Sequence, residues 1–385
     1  MASRFLSEFG GRMKKILVVV PSLGIGGQER IAVNTARCLS NEYCVELVVF
    51  QTREREYQTD VPVHNLNLPT QKNRLKKVVW QMRRALKLAR LRNSERVDFV
   101  YSLGMTANLT NVLSGLISKG KTIISIHGFA EVKRNRANTF IFRKANAVVC
   151  IAQEMQYQLL ALYPQLKNTV VIENGYDLET VLNAPLPERV FDKSAPRLIA
   201  MGRLEDVKRY GILINAFAIV ANAIPKASLS ILGEGTKQES LQNLAKSLGL
   251  EQKVSFLGYQ ANPYDTLKDH DIFALTSKNE GFPNALIEVM SCGLAIVSVD
   301  CLSGPREILS EHYMPTPVQG ICFEKYGVLV ENFADEGQLI KLFAEALIRL
   351  IRTEDKVLMY QKNGKSRATD FSLDVYKDKL CKLFD

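Results

Sequence analysis

The chain has 385 residues, of which 46% are hydrophobic, and it carries a formal net charge of +10. This length suits two or three domains, and the apolar fraction is ordinary for a globular protein with a buried core. No apolar run approaches the roughly 20 residues that span a bilayer. The seven cysteines form no CxxC pair, which argues against a disulfide framework or zinc site and for a reducing, cytoplasmic location.

Positive charge is concentrated in the first half of the chain. Residues 1–190 contain 27 Lys and Arg against 15 Asp and Glu, a net charge of +12, whereas residues 191–385 contain 23 against 25, a net charge of −2. A basic surface of this kind suits nucleic acid, anionic lipid headgroups or phosphorylated substrates. We therefore expect an anionic partner on the first half.

Short apolar runs alternate with amphipathic stretches from the start. The stretch MKKILVVV resembles the front of a signal peptide, but it continues into PSLGIGGQER without a small-residue cleavage site, so we interpret it as a buried strand. A helix follows GIGG, because its apolar residues recur at helical spacing. The predicted strands are KILVVV, CVELVVF, VDFVYS, TIISIH, AVVCIA and TVVIEN.

The pattern restarts after a segment rich in proline and charge, residues 182–197. The second set of predicted strands is PRLIAMGRL, ASLSIL, KVSFLG, DIFALTS and LAIVSVD. Strands that alternate with helices predict parallel sheets covered on both faces. We therefore predict an α/β protein with two Rossmann-like, doubly wound domains that face each other across a cleft, residues 1–185 and 186–365, followed by a helical tail, residues 366–385.

Several motifs suggest chemistry that their context argues against. GLISKGKT (residues 115–122) matches the P-loop letters, but a helix precedes it and a strand follows, the reverse of the required order. GIGGQE has Glu29 where a dinucleotide fingerprint has its third glycine. DHD (residues 269–271) precedes a strand, at the wrong end of the sheet for a ligand, so we expect solvated acids there. His64, His270 and His312 are expected to be structural.

The stretch SKNEGFPNALIEVMSCG (residues 277–293) joins a strand end to a helix in which Pro283 suits the first position. Glu280 lies in the turn, and Glu288 shares one helix face with Asn284 and Ser291. Backbone amides and the helix dipole suit a diphosphate, while carboxylates accept hydrogen bonds from sugar hydroxyls. A nucleotide sugar has this layout; two surface glutamates, one of them in a salt bridge, are the structural alternative.

A second cluster, MGRLEDVKRYG (residues 201–211), follows the first strand of the second set. Arg203 and Lys208 bracket a turn at the carboxyl end of that strand. Two cations at this position would neutralise a diphosphate leaving group.

These motifs together resemble those of a known family. EGFPNALIE resembles the E-x7-E signature of retaining glycosyltransferases with the GT-B fold, and GRLEDVK resembles their Arg/Lys pair. GIGGQER is similar to the family's N-terminal glycine loop, VDCLSGPREI to the segment after the next strand, and IENGYD to the entry into the interdomain hinge. The order matches across nearly the whole chain and is most similar to group-4 transferases of bacterial surface-polysaccharide and glycolipid assembly.

The resemblance implies roles for individual residues. Arg203 and Lys208 would bind the donor diphosphate and stabilise its charge, Glu288 would hold the ribose, and Glu280 would contact the donor sugar. His127 matches a histidine that the family aims at that sugar, with a structural histidine as the alternative. Further positions implied in donor binding are Gly26 and Gly27 at the phosphate, Gly233, Gly235 and Tyr259 at the nucleobase, and the backbone of Gly281, Phe282, Pro283 and Asn284.

The implied activity is transfer of a hexose or N-acetylhexosamine from a UDP-sugar, with retention of configuration, to a glycan or lipid-linked acceptor in surface-polysaccharide, lipopolysaccharide or glycolipid synthesis. The first domain would serve the acceptor, the second would bind the nucleotide sugar, and the tail helix would return to the first domain. No metal or other cofactor is expected, because Arg203 and Lys208 supply the positive charge. A sugar-nucleotide epimerase or a phosphorylase of similar architecture is the alternative.

Residues 74–92, RLKKVVWQMRRALKLARLR, form a strongly basic predicted helix whose apolar residues, among them Val78, Met82 and Leu86, share one face. It is either a covering helix with a solvated basic face or a surface that meets anionic lipid. We favour the lipid surface, which implies a cytoplasmic protein that is peripheral on the inner face of the cytoplasmic membrane. Nucleic acid is not expected, because Trp80 is the only aromatic residue of the helix.

Overall fold

The computed structural model describes residues 12–24, 26–70, 73–178, 181, 190–333 and 335–385. The chain divides into two compact units, unit 1 (Met1–Asp177 with Leu373–Asp385) and unit 2 (Leu178–Ser372). The predicted boundary at 185/186 lies outside the described residues. The tail was predicted to begin at residue 366, and the segment that joins unit 1 begins at Leu373. The functional domain limits stay a prediction.

Unit 1 is built on a parallel seven-stranded sheet, counted over the described residues, with the order β3-β2-β1-β4-β5-β6-β7. All six strands predicted from apolar runs are confirmed. β3 was missed, because it has three residues and only one of them is apolar. The strands are β1 (Lys15–Val20), β2 (Cys44–Val49), β3 (Val63–Asn65), β4 (Phe99–Leu103), β5 (Lys121–Ile126), β6 (Ala147–Cys150) and β7 (Thr169–Val171).

Crossover helices connect these strands, as parallel pairing requires. Leu17 and Val19 of β1 pack in one apolar layer with Val48 and Leu88. The helices of this part of unit 1 are α1 (Gly27–Leu39), α2 (Arg74–Ser94), α3 (Met105–Gly115), α4 (Arg136–Lys144) and α5 (Gln153–Leu162). Since α3 precedes GLISKGKT and β5 follows it, rejection of a P-loop is confirmed.

The face of α2 that packs on unit 1 is not the one that its apolar stripe suggested. Val78 is 61% exposed, and Met82 is 50% exposed. The buried face instead carries two arginines, Arg84 and Arg92. The prediction of one apolar buried face is therefore wrong for α2, whose side chains at residues 74 and 75 are not described. Five other cations of the helix are exposed, so both the covering helix and the lipid surface remain open.

Carbonyl groups compensate the two buried arginines. Arg84 Nε donates to the Leu68 carbonyl at 2.7 Å, and its guanidinium lies 4.7 Å from the centre of the Phe50 ring. Arg92 donates to the Gly120 carbonyl at 2.8 Å and to Asn111 Oδ1 at 3.2 Å. Burial lowers the pKa of Arg92 to about 10. These partners come from distant segments of the chain, so periodicity in α2 could not reveal them.

Unit 2 repeats the architecture with the order β10-β9-β8-β11-β12-β14-β13. β13 is antiparallel to β14, and both were missed as three-residue strands. The strands are β8 (Arg197–Met201), β9 (Ser228–Leu232), β10 (Val254–Gly258), β11 (Ile272–Leu275), β12 (Ala295–Val299), β13 (Ile321–Phe323) and β14 (Val328–Val330). The helices are α6 (Tyr210–Ala223), α7 (Gln238–Ser247), α8 (Tyr264–Lys268), α9 (Asn284–Ser291), α10 (Pro305–Leu309), α11 (Glu336–Arg352) and α12 (Glu354–Ala368).

The DHD segment precedes β11, at the amino end of the strands. Asp271 is only 5% exposed and accepts a hydrogen bond from the Arg197 backbone N–H at 2.7 Å, so the expectation of solvated acids is wrong for this residue. His270 is held between the Thr266 carbonyl (2.7 Å) and Ser230 Oγ (2.8 Å), which confirms its structural role.

The last helix, α13 (Leu373–Phe384), belongs to unit 1. The hydroxyl of Tyr376 lies 2.7 Å from Thr35 Oγ1. The fully buried ring of Phe384 meets Phe99 edge-on, with ring centroids 5.3 Å apart, and Tyr43 at 5.9 Å. An aromatic cluster therefore fastens the end of the described chain to the sheet of unit 1.

We expect Phe384→Ala to lower the free energy of unfolding by about 3–5 kcal/mol, because it removes a ring from a packed cluster and leaves a cavity. Urea unfolding followed by circular dichroism measures the effect. Lys382→Ala, an exposed position on the same helix, is the control and should change it by less than about 0.5 kcal/mol. Equal effects of the two substitutions would contradict the assigned packing.

Candidate active site

In unit 2, the strand order reverses between β8 and β11, which are hydrogen-bonded neighbours. Loops that follow such strands open a crevice at the carboxyl edge of a doubly wound sheet, the usual place for a ligand. The turn after β8 carries Arg203 and Lys208, and the turn after β11 carries Glu280. The fold thus brings both predicted clusters to the switch point of one sheet.

The turn that carries Arg203 lies directly beside the turn after β9. The Gly202 N–H donates to the Leu232 carbonyl, and the Leu204 N–H donates to the Glu234 carbonyl, both at 2.9 Å. Gly233 has φ +140°, and a Cβ there would lie 2.0 Å from the Gly202 carbonyl oxygen. Only glycine permits this approach, so Gly233 sets how closely the two turns pack.

Lys208 and Glu280 form an ion pair, with 2.6 Å between Nζ and Oε1. Their side chains are 18% and 13% exposed. Lys208 ends a short 3-10 turn (Asp206–Lys208), and Thr276 Oγ1 donates to its carbonyl at 3.0 Å. The structure therefore places one predicted cation against one predicted carboxylate, at the ends of the two strands that flank the switch point.

Arg209 stabilises this arrangement, although sequence reasoning missed it. It adopts the left-handed conformation (φ +51°), and its guanidinium donates to the Thr276 carbonyl at 2.8 Å and to the Ser277 carbonyl at 3.0 Å. Burial lowers the pKa of Arg209. Its adjacency to Lys208 in KR was the available signal, but only the fold shows that it ties the β8 turn to the β11 turn.

The loop that carries Glu280 is braced by the segment after β12. The Glu280 N–H donates to the Leu302 carbonyl at 2.7 Å, and the Ser303 N–H donates back to the Glu280 carbonyl at 3.2 Å. Ser303 Oγ donates to the Gly281 carbonyl at 2.5 Å. The VDCLSGPREI motif thus fixes the backbone from which the Glu280 side chain projects.

The helix of the E-x7-E motif begins one residue later than predicted. Pro283 is the N-cap, and α9 starts at Asn284. Glu288 is only 5% exposed. The ring of Phe282 is buried and lies 5.5 Å from the ring of Phe371. The buried ring of Phe282 therefore leaves only the backbone of this residue to contact a ligand.

Polar groups around the crevice remain available for a ligand. Arg203 is exposed and has no ion-pair partner among the described residues, and Tyr259 is 46% exposed. The Tyr210 hydroxyl and Ser277 Oγ are buried and find no hydrogen-bond partner in the part of the chain that the structure describes. Burial, with the nearby charge of Glu280, raises the pKa of Tyr210, so its hydroxyl stays protonated.

Unit 1 has its own switch point between β1 and β4. Gly26 is the N-cap of α1, and Gly27 is its first residue. The Gln28 side chain donates to the Leu103 carbonyl at 2.7 Å, which ties this helix start to the end of β4. Gly26 and Gly27 therefore lie at the edge of the sheet where ligands bind; Ile25 lies outside the described residues.

His127 follows β5 at the same edge of the sheet. Its Nε2 lies 3.0 Å from Ser125 Oγ, and its backbone N–H donates to Glu131 Oε1 at 3.2 Å. Burial lowers the pKa of His127 to about 4, so the ring is neutral at pH 7. Burial raises the pKa of Glu131 to about 7, and Glu131 Oε2 has no hydrogen-bond partner among the described residues. Glu131 was missed, because a lone Glu in a loop carries no pattern.

Glu46, His64 and Glu95 lie close enough together to share a metal ion. The Lys15 ammonium already contacts both carboxylates, at 2.7 Å from Glu46 Oε1 and closer to Glu95. His64 Nε2 lies 2.6 Å from Glu46 Oε2. Lys15 and His64 thus already contact the carboxylates of this cluster, in line with the structural role predicted for His64. The predicted roles of the site residues stay predictions.

The two doubly wound parallel sheets, each with a switch point, define the α/β class of the GT-B architecture. Two family models match successive parts of the chain: "Glycosyltransferase Family 4" over residues 25–180 and "Glycosyl transferases group 1" over residues 187–367. The chain therefore belongs to the glycosyltransferases that these two models together describe.

Known proteins share similarity with much of the chain. An uncharacterized glycosyltransferase of Methanocaldococcus jannaschii is 34% identical over 62% of this chain and 63% of its own length. A Campylobacter jejuni 4-alpha-N-acetylgalactosaminyltransferase, named for an N-acetylgalactosamine-N,N'-diacetylbacillosaminyl-diphospho-undecaprenol substrate, is 25% identical over 96% of this chain and 99% of its own. Anabaena HepE, solved with UDP and glucose, shares the fold with a TM-score of 0.74, at 20% identity over 97% of this chain and 99% of its own.

Glu131 makes stability depend on pH in a defined direction. Its pKa is about 7 when folded against 4.5 for the ordinary carboxyl, so between these values the folded state keeps a proton that the unfolded state has lost. The free energy of unfolding therefore falls as pH rises through this window. Glu131→Gln removes this titration. The free energy of unfolding of the variant, relative to that of the wild type, should therefore rise by about 1–3 kcal/mol between pH 4.5 and pH 8.

Urea unfolding of both proteins at the two pH values measures this gain. Glu54→Gln, at an exposed position of unit 1, is the control and should show no such gain. A Glu131→Gln protein whose offset from the wild type is the same at both pH values would show that the carboxyl is not buried as described.

Proposed function

We propose that this glycosyltransferase moves a hexose or N-acetylhexosamine from a UDP-sugar to a glycan or lipid-diphosphate-linked acceptor, with retention of configuration. The observation that carries the proposal is the Lys208–Glu280 pair, held at the ends of the two strands that flank the unit 2 switch point. The family assignment supports glycosyl transfer itself. The C. jejuni relative supports a lipid-diphosphate acceptor, and HepE supports UDP as the nucleotide.

In this proposal the ion pair keeps two donor-binding groups positioned before the donor arrives. When the donor binds, its diphosphate forms ion pairs with Lys208 and with the exposed Arg203, so that two cations contact a doubly negative group. Glu280, freed from Lys208, accepts hydrogen bonds from sugar hydroxyls, and Glu288 accepts them from the ribose. The exchange needs little backbone movement, because Ser303 and Arg209 already brace the two turns.

Further donor contacts are proposed at the positions that the family resemblance implies. Unit 1 contributes His127, whose neutral ring can donate a hydrogen bond to the sugar without adding charge. Unit 2 contributes the nucleobase positions Gly233, Gly235 and Tyr259. The remaining contacts are from backbone groups at Gly26, Gly27, Gly281, Phe282, Pro283 and Asn284, of which Pro283 has only a carbonyl to offer.

For the chemical step we propose a front-face route without a metal ion. Arg203 and Lys208 stabilise negative charge on the departing diphosphate, and the diphosphate takes the proton of the acceptor hydroxyl as the new bond forms on the same face. Retention can be read directly from the anomeric signals of product and donor by NMR. Activity that persists in chelator-treated protein would support the metal-free route.

The acceptor is proposed to reach the protein at an anionic membrane surface, through α2. No helix in the described residues is both long enough and apolar enough to cross a bilayer. The exposed side chains of α2 combine an apolar stripe with flanking cations, the pattern of a helix that lies in a lipid interface. The exposed set is Lys76, Lys77, Val78, Val79, Met82, Arg83, Leu86, Lys87 and Arg90. This surface would hold the protein on the cytoplasmic face of the membrane.

Donor binding is tested by thermal unfolding with a panel of UDP- and GDP-sugars. A preferred UDP-sugar at about 100 times its Kd should stabilise the wild type by about 2.7 kcal/mol. Arg203→Ala and Lys208→Ala should lose most of this stabilisation and reduce UDP release during transfer about 100- to 1,000-fold. Lys226→Ala, an exposed cation of the same unit, is the control and should behave like the wild type. Near-normal transfer by Arg203→Ala or Lys208→Ala would refute the proposed site.

Membrane binding is tested by flotation with vesicles that contain anionic lipid at low salt. Met82→Ser with Leu86→Ser should weaken binding at least about tenfold, because two apolar side chains no longer enter the lipid. Leu116→Ser with Ile117→Ser, which removes two similarly exposed apolar side chains of unit 1, is the matched control. If both pairs weaken flotation equally, or the wild type does not float, α2 is not the membrane surface.

A further inference from the structure

A cationic groove runs along α4 in unit 1, outside the site described above. Its volume is about 690 Å³. Most of its lining lies at positions 136, 139, 140, 143 and 144, which share one face of the helix. The lining residues of this α4 groove are Arg134, Asn135, Arg136, Thr139, Phe140, Arg143 and Lys144.

The positive charges of the α4 groove are not matched by the protein. Its four cationic side chains are exposed, and none forms an ion pair within the described residues. The sequence from Val132 to Gln153 contains no Asp or Glu. Basic surface helices usually intersperse charges of both signs, which relieves repulsion between neighbours. The α4 groove therefore concentrates like charge along one face of the helix.

The helix dipole accounts for only one end of this groove. Arg143 and Lys144 lie in the last turn of α4, where the dipole favours cations. Arg134 and Arg136 lie at its amino end, where the dipole disfavours them, and the first turn holds no acidic residue. Asn135 caps the helix by accepting from the Asn138 N–H at 2.8 Å. Helix stability therefore does not explain the amino-terminal arginines, whereas a bound anion would.

We propose that the α4 groove binds a stretch of acidic glycan that carries at least two carboxylate or phosphate groups. This proposal rests on the proposed function, and it defines the acceptor as a negatively charged chain. Arg136 and Arg143 are seven residues apart, roughly 10 Å along the helix at 1.5 Å per residue, a spacing that suits charges on separate sugar units better than a single phosphate. Charges on separate sugar units reach both ends.

The chemistry of the lining fits such a chain. Guanidinium groups bind carboxylates and phosphates through two parallel hydrogen bonds, which suits Arg136 at one end and Arg143 at the other. Phe140, partly exposed between them, offers an apolar ring to the face of a sugar. A free diphosphate carries no sugar face that could contact this ring.

The test measures oligosaccharide binding by calorimetry with saturating UDP, so that the donor site is filled. The probes are tetragalacturonate, neutral maltotetraose and inorganic pyrophosphate. The wild type should bind tetragalacturonate more tightly than either other probe, and added salt should weaken this binding. Arg136→Gln with Arg143→Gln should weaken it at least about tenfold.

Lys119→Gln with Lys167→Gln is the control, because it removes the same charge from two other exposed positions of unit 1. It should change tetragalacturonate binding less than about twofold. Equal weakening by both pairs would show a diffuse field rather than a site. Pyrophosphate binding as tight as that of tetragalacturonate would contradict the proposal that the ligand is an elongated chain. Loss of flotation on anionic vesicles by the groove variant, with unchanged oligosaccharide binding, would identify a lipid surface instead.

Stabilisation by UDP-sugars separates this proposal from the proposed function. The groove variant should keep the donor response of the wild type while it loses tetragalacturonate binding. If the wild type shows no UDP-sugar response, the proposed function fails, whatever the groove binds. If the donor response is intact and tetragalacturonate does not bind the wild type, the α4 groove proposal alone is wrong.

Discussion

Hydrogen bonding between parallel strands determines where the functional loops lie in both units, because the loop after each strand of a parallel sheet lies at the same edge. Within the described residues, unit 1 keeps all seven strands parallel, and unit 2 departs from this only at β13. The strand order reverses beside β1 in unit 1 and beside β8 in unit 2. Glycine turns, cations and carboxylates that are far apart in the chain therefore collect at these two places.

Within unit 2, the site is organised by backbone hydrogen bonds more than by the charged groups themselves. Lys208 and Glu280 are each supported by a neighbour that contacts main-chain carbonyls, Arg209 at one turn and Ser303 at the other. Such bracing preserves the positions of charged side chains while they exchange partners. The same bracing explains how the segment after β12 holds the loop of Glu280, which lies about one helix and one strand earlier in the chain.

The strands and the strand-end clusters could be predicted, because buried parallel strands read as continuous apolar runs. Strands of three residues, such as β3, carry too little pattern. The orientation of α2 could not be predicted, since carbonyl groups from remote loops make it favourable to bury Arg84 and Arg92. Arg209, Ser303 and Glu131 were missed for the same reason: their contacts depend on tertiary structure and leave no local periodicity.

The position of α13 in the chain has a consequence for biosynthesis. Unit 1 is interrupted, because the whole of unit 2 is translated between Asp177 and the helix that completes the unit 1 core. Until α13 emerges from the ribosome, Phe99 and Tyr101 lack the ring that covers them. Nascent unit 1 would thus present an apolar surface to chaperones throughout the synthesis of unit 2.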